Sequence, residues 1–157
     1  KNIILMFAET KSWSETVAIA ELHITDETFG IALPDLIFSD GYLPFKEMET
    51  KDKYETILLK GLGVQHEDYI NWGSARLNDH MIEDIKEKVH YGRDRYPILG
   101  RYILRKSAFE KLKNGKSVME ILNEATKIGV QYYFCLAEAY DTSTLKGLAE
   151  ANLNYAE

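Results

Sequence analysis

Phe29-Gly30-Ile31-Ala32-Leu33-Pro34-Asp35-Leu36-Ile37-Phe38 opens with an apolar run of strand length, Phe29 to Leu33, closed by a proline and followed at once by an aspartate. Apolar residues without polar alternation are the pattern of a strand buried on both faces. Pro34 has no N–H to give a ladder, so the strand from Phe29 to Leu33 stops there. Upstream, Ile3-Ile4-Leu5-Met6-Phe7 repeats the pattern within an apolar start from Asn2 to Ala8, and Ser12 or Ser14 can cap a short helix carrying Val17, Ala20 and Leu22. Downstream, Leu43, Phe45 and Met48 among Glu and Lys suggest a helix from Tyr42 to about Lys53. Glu55 to Val64, with Ile57, Leu58, Leu59 and Leu62, reads as another strand. Strand, helix, strand, helix, strand is the rhythm of an α/β domain with a largely parallel sheet.

The middle of the chain changes character. Tyr69 to Leu77 and Met81 to Val89 are strand-like runs joined by Asn78-Asp79-His80, residues that tolerate a tight hairpin turn, so an antiparallel insertion is expected here. Tyr91 to Pro97 is polar, contains Gly92 and Pro97, and reads as a loop; Leu99 to Leu104 returns as a strand. Ser107 to Lys113 and Ser117 to Lys127 read as helices with serine caps, stopped by Gly115 and Gly129. Val130 to Leu136 is aromatic and β-branched, hence a strand. Thr142, Ser143 or Thr144 caps a last helix to Tyr155, with Leu145, Leu148, Ala149 and Leu153 expected to face inward. No repeat, linker or low-complexity stretch interrupts the 157 residues, and one domain is expected.

Composition narrows the function classes. A net charge of −6 offers no basic field for a polyanion, which argues against nucleic acid as a partner. No apolar run approaches the ~20 residues of a membrane span. Cys135 is the single cysteine, so no internal disulfide can form, and a reducing, cytoplasmic setting is expected. His23, His66, His80 and His90 show no metal-ligand spacing.

In open α/β sheets, ligands sit outside the carboxyl ends of strands. Asp35 follows one strand directly, and Asp141 follows the strand Val130 to Leu136 by a few residues. Two carboxylates meeting in one crevice would suit Mg²⁺, which takes few carboxylates and completes its shell with water and phosphate oxygens. From spacing alone, an aspartate after a strand is more often a turn residue or helix cap. Glu87-Lys88 ends the second hairpin strand, where a carboxylate can accept from sugar hydroxyls and an ammonium can neutralise a phosphate, or where both are a solvated strand end. Trp72-Gly73 and Gly100-Arg101 place glycine in a strand, the mark of a close ligand approach or a bulge. No G-x-S-x-G, Walker A or dinucleotide fingerprint is present.

In order along the chain, these segments resemble the sugar-1-phosphate nucleotidyltransferases that make UDP-glucose or dTDP-glucose. Phe29 to Phe38 is similar to that family's strand ending in a metal-binding aspartate. The runs 54–64, 69–77 and 81–88 match its next three strands. Trp72-Gly73 stands where an aromatic-Gly pair lies over the sugar, and Glu87-Lys88 where a Glu-Lys pair binds sugar hydroxyls and phosphate. Leu99-Gly100-Arg101-Tyr102 is similar to a Gly-Arg-Tyr strand, and Asp141-Thr142-Ser143-Thr144 resembles the Asp-x-Gly-Thr turn, with Ser143 in place of glycine. Trp13-Ser14-Glu15-Thr16 only loosely echoes the segment that touches the base.

The resemblance implies a Rossmann-like, mostly parallel α/β sheet with the antiparallel hairpin inserted. It implies Mg²⁺ held by Asp35 and Asp141, with these two and Lys88 as catalytic residues. Trp72, Gly73, Glu87, Lys88 and Gly100 would bind the substrate. The reaction implied is nucleotidyl transfer from UTP or dTTP to a hexose 1-phosphate, releasing pyrophosphate; the other implied role is a non-catalytic sugar-phosphate or nucleotide-sugar binding domain. The family's G-x-G-T-R loop, which holds the triphosphate, has no match here, so the chain reads as beginning near the family's third strand, as the C-terminal portion of the domain. A sheet lacking those strands would leave an edge that invites association into a homo-oligomer.

Overall fold

The computed structural model describes residues 8–38, 48, 55–60, 72–88, 94–135 and 137–155. The expected strand over 2–7, all but Met48 of the expected helix at 42–53, and residues 61–64, 69–71 and 89 of other expected strands lie outside them.

The chain enters through α1 (Trp13–Ile19). Ser12 caps it, accepting from the Glu15 amide at 3.2 Å, while Glu15 accepts from the Lys11 amide at 2.7 Å. A 3₁₀ turn (Ala20–His23) leads to β1 (Thr28–Ala32) and, past Pro34, to β2 (Leu36–Phe38). Next come β3 (Glu55–Lys60), β4 (Gly73–Asn78), β5 (Met81–Glu87) and the eleven-residue β6 (Arg95–Arg105). The helices α2 (Ala108–Lys113) and α3 (Val118–Ala125), the strands β7 (Val130–Cys135) and β8 (Ala139–Asp141), and α4 (Leu145–Tyr155) complete the order.

The main sheet runs β5-β4-β6-β3-β7, with β1 also paired to β6, and β2–β8 forms a separate two-stranded ribbon. The α/β class and the antiparallel β4–β5 hairpin are as expected, with Asp79 at the turn in the left-handed region, φ 54°. The expectation of a mostly parallel sheet needs correction for the described strands. Only β3–β7 is parallel, because β4, β5 and β6 follow one another as a meander and β1 returns against β6. β1 is also not buried on both faces: its residues alternate exposed and buried.

β6 organises everything around it. β3 runs along one edge of it, from Ile98 to Ile103. β4 and β1 must therefore share the other edge, β4 opposite Arg95–Pro97 and β1 opposite Arg101–Arg105. Where those two strands part, β6 bulges: Ile98 pairs Leu59 and Tyr102 pairs Ile57, so β6 spends four residues against two of its partner. Gly100, inside the bulge, has φ 58°, and a Cβ there would press on Leu33 and Leu36. Only glycine meets both conditions without strain.

Two hydrophobic clusters cover the sheet. On one face Phe109, Leu112, Val118, Ile121 and Leu122 of α2 and α3 pack on Ile57, Leu59 and Leu104. On the other, Leu36, Phe38 and Ala139 of the β2–β8 ribbon, with the helical Met48, meet Leu58, Leu99 and Ile103.

Three local expectations are corrected. Pro97 and the two residues before it, placed in a loop, belong to β6; the polar look of the segment comes from Arg95, which is buried and fully engaged. Ser107 has helical dihedrals and makes no side-chain capping bond, because α2 turns directly out of β6. Ser117 does cap α3, in a reciprocal capping box with Glu120. In α4, Gly147 and Ala151 face inward while Leu145, Leu148, Ala149 and Leu153 are exposed. A Cβ on Gly147 would collide with the carbonyl oxygen of Asp141, so the helix lies too close to β8 for a large residue between them.

Candidate functional site

The gap between β1 and β4 opens a cleft of about 620 Å³. Its buried floor is Ile98, Gly100 and Tyr102 of β6 with Val118 of α3. Asp35 comes from the turn before β2 and Asp141 from the last position of β8, and Trp72, Gly73, Glu87 and Lys88 from the open end of the hairpin. All seven residues singled out from the sequence therefore line one cleft.

The two aspartates are brought together by backbone. Leu36 pairs with Asp141 in the ribbon, and the Asp35 carbonyl accepts from both the amide and the hydroxyl of Thr142, at 2.8 and 3.1 Å. The Asp141 carbonyl accepts from the Thr144 hydroxyl at 2.9 Å, and that hydroxyl caps α4 by accepting from the Gly147 amide at 3.0 Å. On the Asp141 carboxylate, one oxygen accepts from the amide (3.0 Å) and hydroxyl of Ser143, and the other from the Trp72 indole N–H at 3.3 Å.

Arg101, on the face of β6 away from the cleft, holds the turn that carries Asp35. It is 4% exposed and donates from Nη1 to the Leu33 and Gly100 carbonyls, at 2.8 and 3.2 Å, and from Nη2 to the Leu36 carbonyl at 3.2 Å. Its guanidinium lies 5.0 Å from the centre of the Phe38 ring. Burial lowers its pKa from the ordinary arginine value, against the raising influence of the Asp35 charge. On the cleft side, burial and then the Glu87 and Asp35 charges push the Tyr102 hydroxyl far above the usual tyrosine range, so it stays neutral.

The hairpin end is shaped by Gly73 and Lys88. Gly73 pairs with Glu87, and the Met119 methyl lies 2.8 Å from where a Gly73 Cβ would be, so a side chain there requires that methyl to move aside. Lys88 sits at φ 49°, a region uncommon for a lysine, with its amide donating to the Trp72 carbonyl at 3.3 Å. That conformation turns the chain at the rim just after Glu87.

Sequence reasoning missed Tyr102 and Met119 as cleft residues, and linked Trp13 to a ligand only through its loose echo of the base-touching segment. Tyr102 stands two positions from Gly100 on one strand, which was a usable signal. Met119 carried none that separates it from a core residue. Among the described residues, no group of three or more Asp, Glu, His or Cys side chains gathers as a metal cage. Nor, among them, is any helix long and apolar enough to cross a membrane.

The architecture is that of sugar-nucleotide-forming nucleotidyltransferase structures. A structure from Bacillus anthracis assigned as a glucose-1-phosphate thymidylyltransferase, in complex with sucrose, matches with a TM-score of 0.77 at 23% identity, over 92% of this chain and 62% of that one. A UDP-glucose pyrophosphorylase complexed with UDP-glucose matches with a TM-score of 0.75 at 22% identity, over 95% and 63%. The UTP-bound UDP-glucose pyrophosphorylase of Acinetobacter baumannii matches at 0.71 and 18%, over 92% and 56%. These likenesses show the fold, and the chain spans about three fifths of the length of such structures. No family model and no curated protein matches the sequence.

Proposed function

We propose that this chain supplies the sugar-phosphate side of a nucleotidyltransferase that joins a nucleoside monophosphate unit from UTP or dTTP to a hexose 1-phosphate, releasing pyrophosphate. The observation that carries the reading is the convergence of Asp35, Asp141, Glu87 and Lys88 on one cleft. The oxygen donors fit Mg²⁺. Asp141 keeps an acceptor position open on the oxygen bonded by Trp72, and Asp35 lines the same cleft. Two carboxylates with water and phosphate oxygens make a shell this ion favours. Asp35 and Asp141 would hold it, and when bound it would neutralise the charge shared by the sugar phosphate and the α-phosphate.

The chain's own residues do the positioning. Glu87 accepts from sugar hydroxyls and Lys88 neutralises the sugar phosphate as a point charge, while Gly73 and Gly100 line the same cleft and let Met119, Leu33 and Leu36 pack against bare backbone. The phosphate oxygen then attacks the α-phosphorus in line, the bond to pyrophosphate breaks, and no covalent enzyme intermediate is needed. Tyr102, neutral and buried, offers a hydroxyl at the floor without adding charge.

A second reading, a non-catalytic sugar-phosphate binding domain, draws support from Ser143. Its amide and hydroxyl both occupy one oxygen of Asp141, leaving that carboxylate fewer lone pairs for a metal. Calorimetric titration with glucose 1-phosphate, with and without Mg²⁺, tests both. The enzyme reading expects binding that tightens with Mg²⁺ and loses that response in Asp35→Asn. Binding indifferent to Mg²⁺ selects the second reading, and absence of binding ends both.

A further inference from the structure

Trp13 has no part in the machinery above, yet its place is well fixed. It is the first residue of α1, directly after the cap Ser12, and the Ser12–Glu15 and Lys11–Glu15 bonds anchor that helix start. Val17 and Ala18, further along the same helix, pack against the core. Trp13 instead leaves 40% of its surface exposed and lines the cleft. An exposed indole face is apolar area that burial by a ligand would stabilise.

The lining of the cleft is divided by chemistry. Asp35, Glu87, Lys88, Asp141 and Ser143 are polar; Trp13, Leu33, Ile98, Val118 and Met119 are apolar. The Met119 methyl abuts the Gly73 position, and Gly73 pairs with Glu87, so the apolar lining reaches the hairpin end that carries Glu87. A hexose ring is divided the same way, with hydroxyls around its edge and C–H bonds on its faces.

We propose that Trp13 is a specificity-determining contact for the carbon face of the hexose ring, an assignment that rests on the sugar-phosphate reading of this cleft. The hydroxyl edge then meets Glu87, and the phosphate meets Lys88. The indole favours ligands that present a flat C–H face and contributes nothing to a bare phosphate.

The chain contains two tryptophans, Trp13 and Trp72, both at the cleft, so each can be watched in the unaltered protein. Labelled with 5-fluorotryptophan, it should show two ¹⁹F resonances, assigned through Trp13→Phe. On titration with glucose 1-phosphate and Mg²⁺, the Trp13 resonance should shift and lose solvent accessibility, while inorganic phosphate leaves it in place. Trp13→Ala should weaken glucose 1-phosphate binding roughly tenfold, the equivalent of some tens of Å² of buried indole, and Trp13→Phe should keep most of it. A shift of Trp72 alone would overturn the role of Trp13 and leave the sugar-phosphate site standing. A Trp13 shift with UTP or dTTP only would assign the indole to the base and overturn the sugar contact. No shift of either resonance, with no calorimetric heat, would overturn the site itself.

Discussion

At Gly147 a single added methyl group would decide how one end of the cleft is built. A Cβ there runs into the Asp141 carbonyl oxygen, the acceptor that orients Thr144 and starts α4. Alanine normally improves a helix by up to ~1 kcal/mol over glycine. Here overpacking against backbone outweighs that gain, and Gly147→Ala should destabilise the fold by about 1–2 kcal/mol, lowering the melting temperature by roughly 3–6 °C in calorimetry. A raised melting temperature would mean that α4 does not rest on β8 in this way. The same closeness explains a misreading of the sequence. Leucines spaced along a helix normally mark its buried face, but Leu145 and Leu153 are 88% and 77% exposed because only Gly147 and Ala151 fit against the ribbon. Hydrophobicity was legible; the distance between two backbones was not.

Among the elements, the clasp of Arg101 on the β1–β2 turn is the least expected from pattern. A cation in the middle of an apolar strand reads as a residue to be pushed to the surface, yet its two terminal nitrogens satisfy three carbonyls. Arg101→Met keeps the volume and leaves those carbonyls without their donor. It should cost about 2–4 kcal/mol in urea denaturation and weaken glucose 1-phosphate binding through Asp35, whose turn loses its anchor. An unchanged denaturation midpoint would show that water replaces the guanidinium without loss. Arg95 hid β6 in the same manner. Its Nε donates to the Ser74 hydroxyl at 2.9 Å and Nη1 to Asp84 at 2.6 Å, so a segment polar in sequence is buried in the sheet. The amphipathic α3, the hairpin with its turn residues, and β3, whose continuous apolar run is buried on both faces, were readable because their apolar patterns report burial directly. Strands whose charges are neutralised by residues distant in the chain were not.

For the molecule as a whole, Asp84 is one carboxyl through which acid should lower stability. Burial raises its pKa, but the hydrogen bond and charge of Arg95, with Lys86 and Arg76, outweigh burial and hold the carboxyl below its ordinary value. A carboxyl depressed in the folded state contributes stability that is present above its unfolded pKa, about 4, and is lost as pH falls through the folded value. Urea unfolding at pH 3 to 6 should therefore show wild-type stability falling below about pH 4, with a shallower fall in Asp84→Asn; parallel curves would remove Asp84 as the cause. The cleft was legible in part at this scale. Its charged residues follow strand ends, where ligands of α/β sheets gather, and its glycines mark a bulge and a close approach. Its apolar lining, Trp13 and Met119 among it, looks like core until the strands are placed, because β1 and β4 meet β6 only through pairings between residues far apart in the chain. The ribbon that aligns Asp35 with Asp141 is just three residue pairs long and joins segments about a hundred positions apart, Thr142 reaching Asp35 across a separation of 107. Such a short ladder is the part most readily opened by a local fluctuation, while the long β3–β6–β4 sheet stays intact. The acidic pair can thus come apart and reassemble many times within the lifetime of one folded molecule, and amide exchange in the ribbon would run well ahead of exchange in β3 and β6.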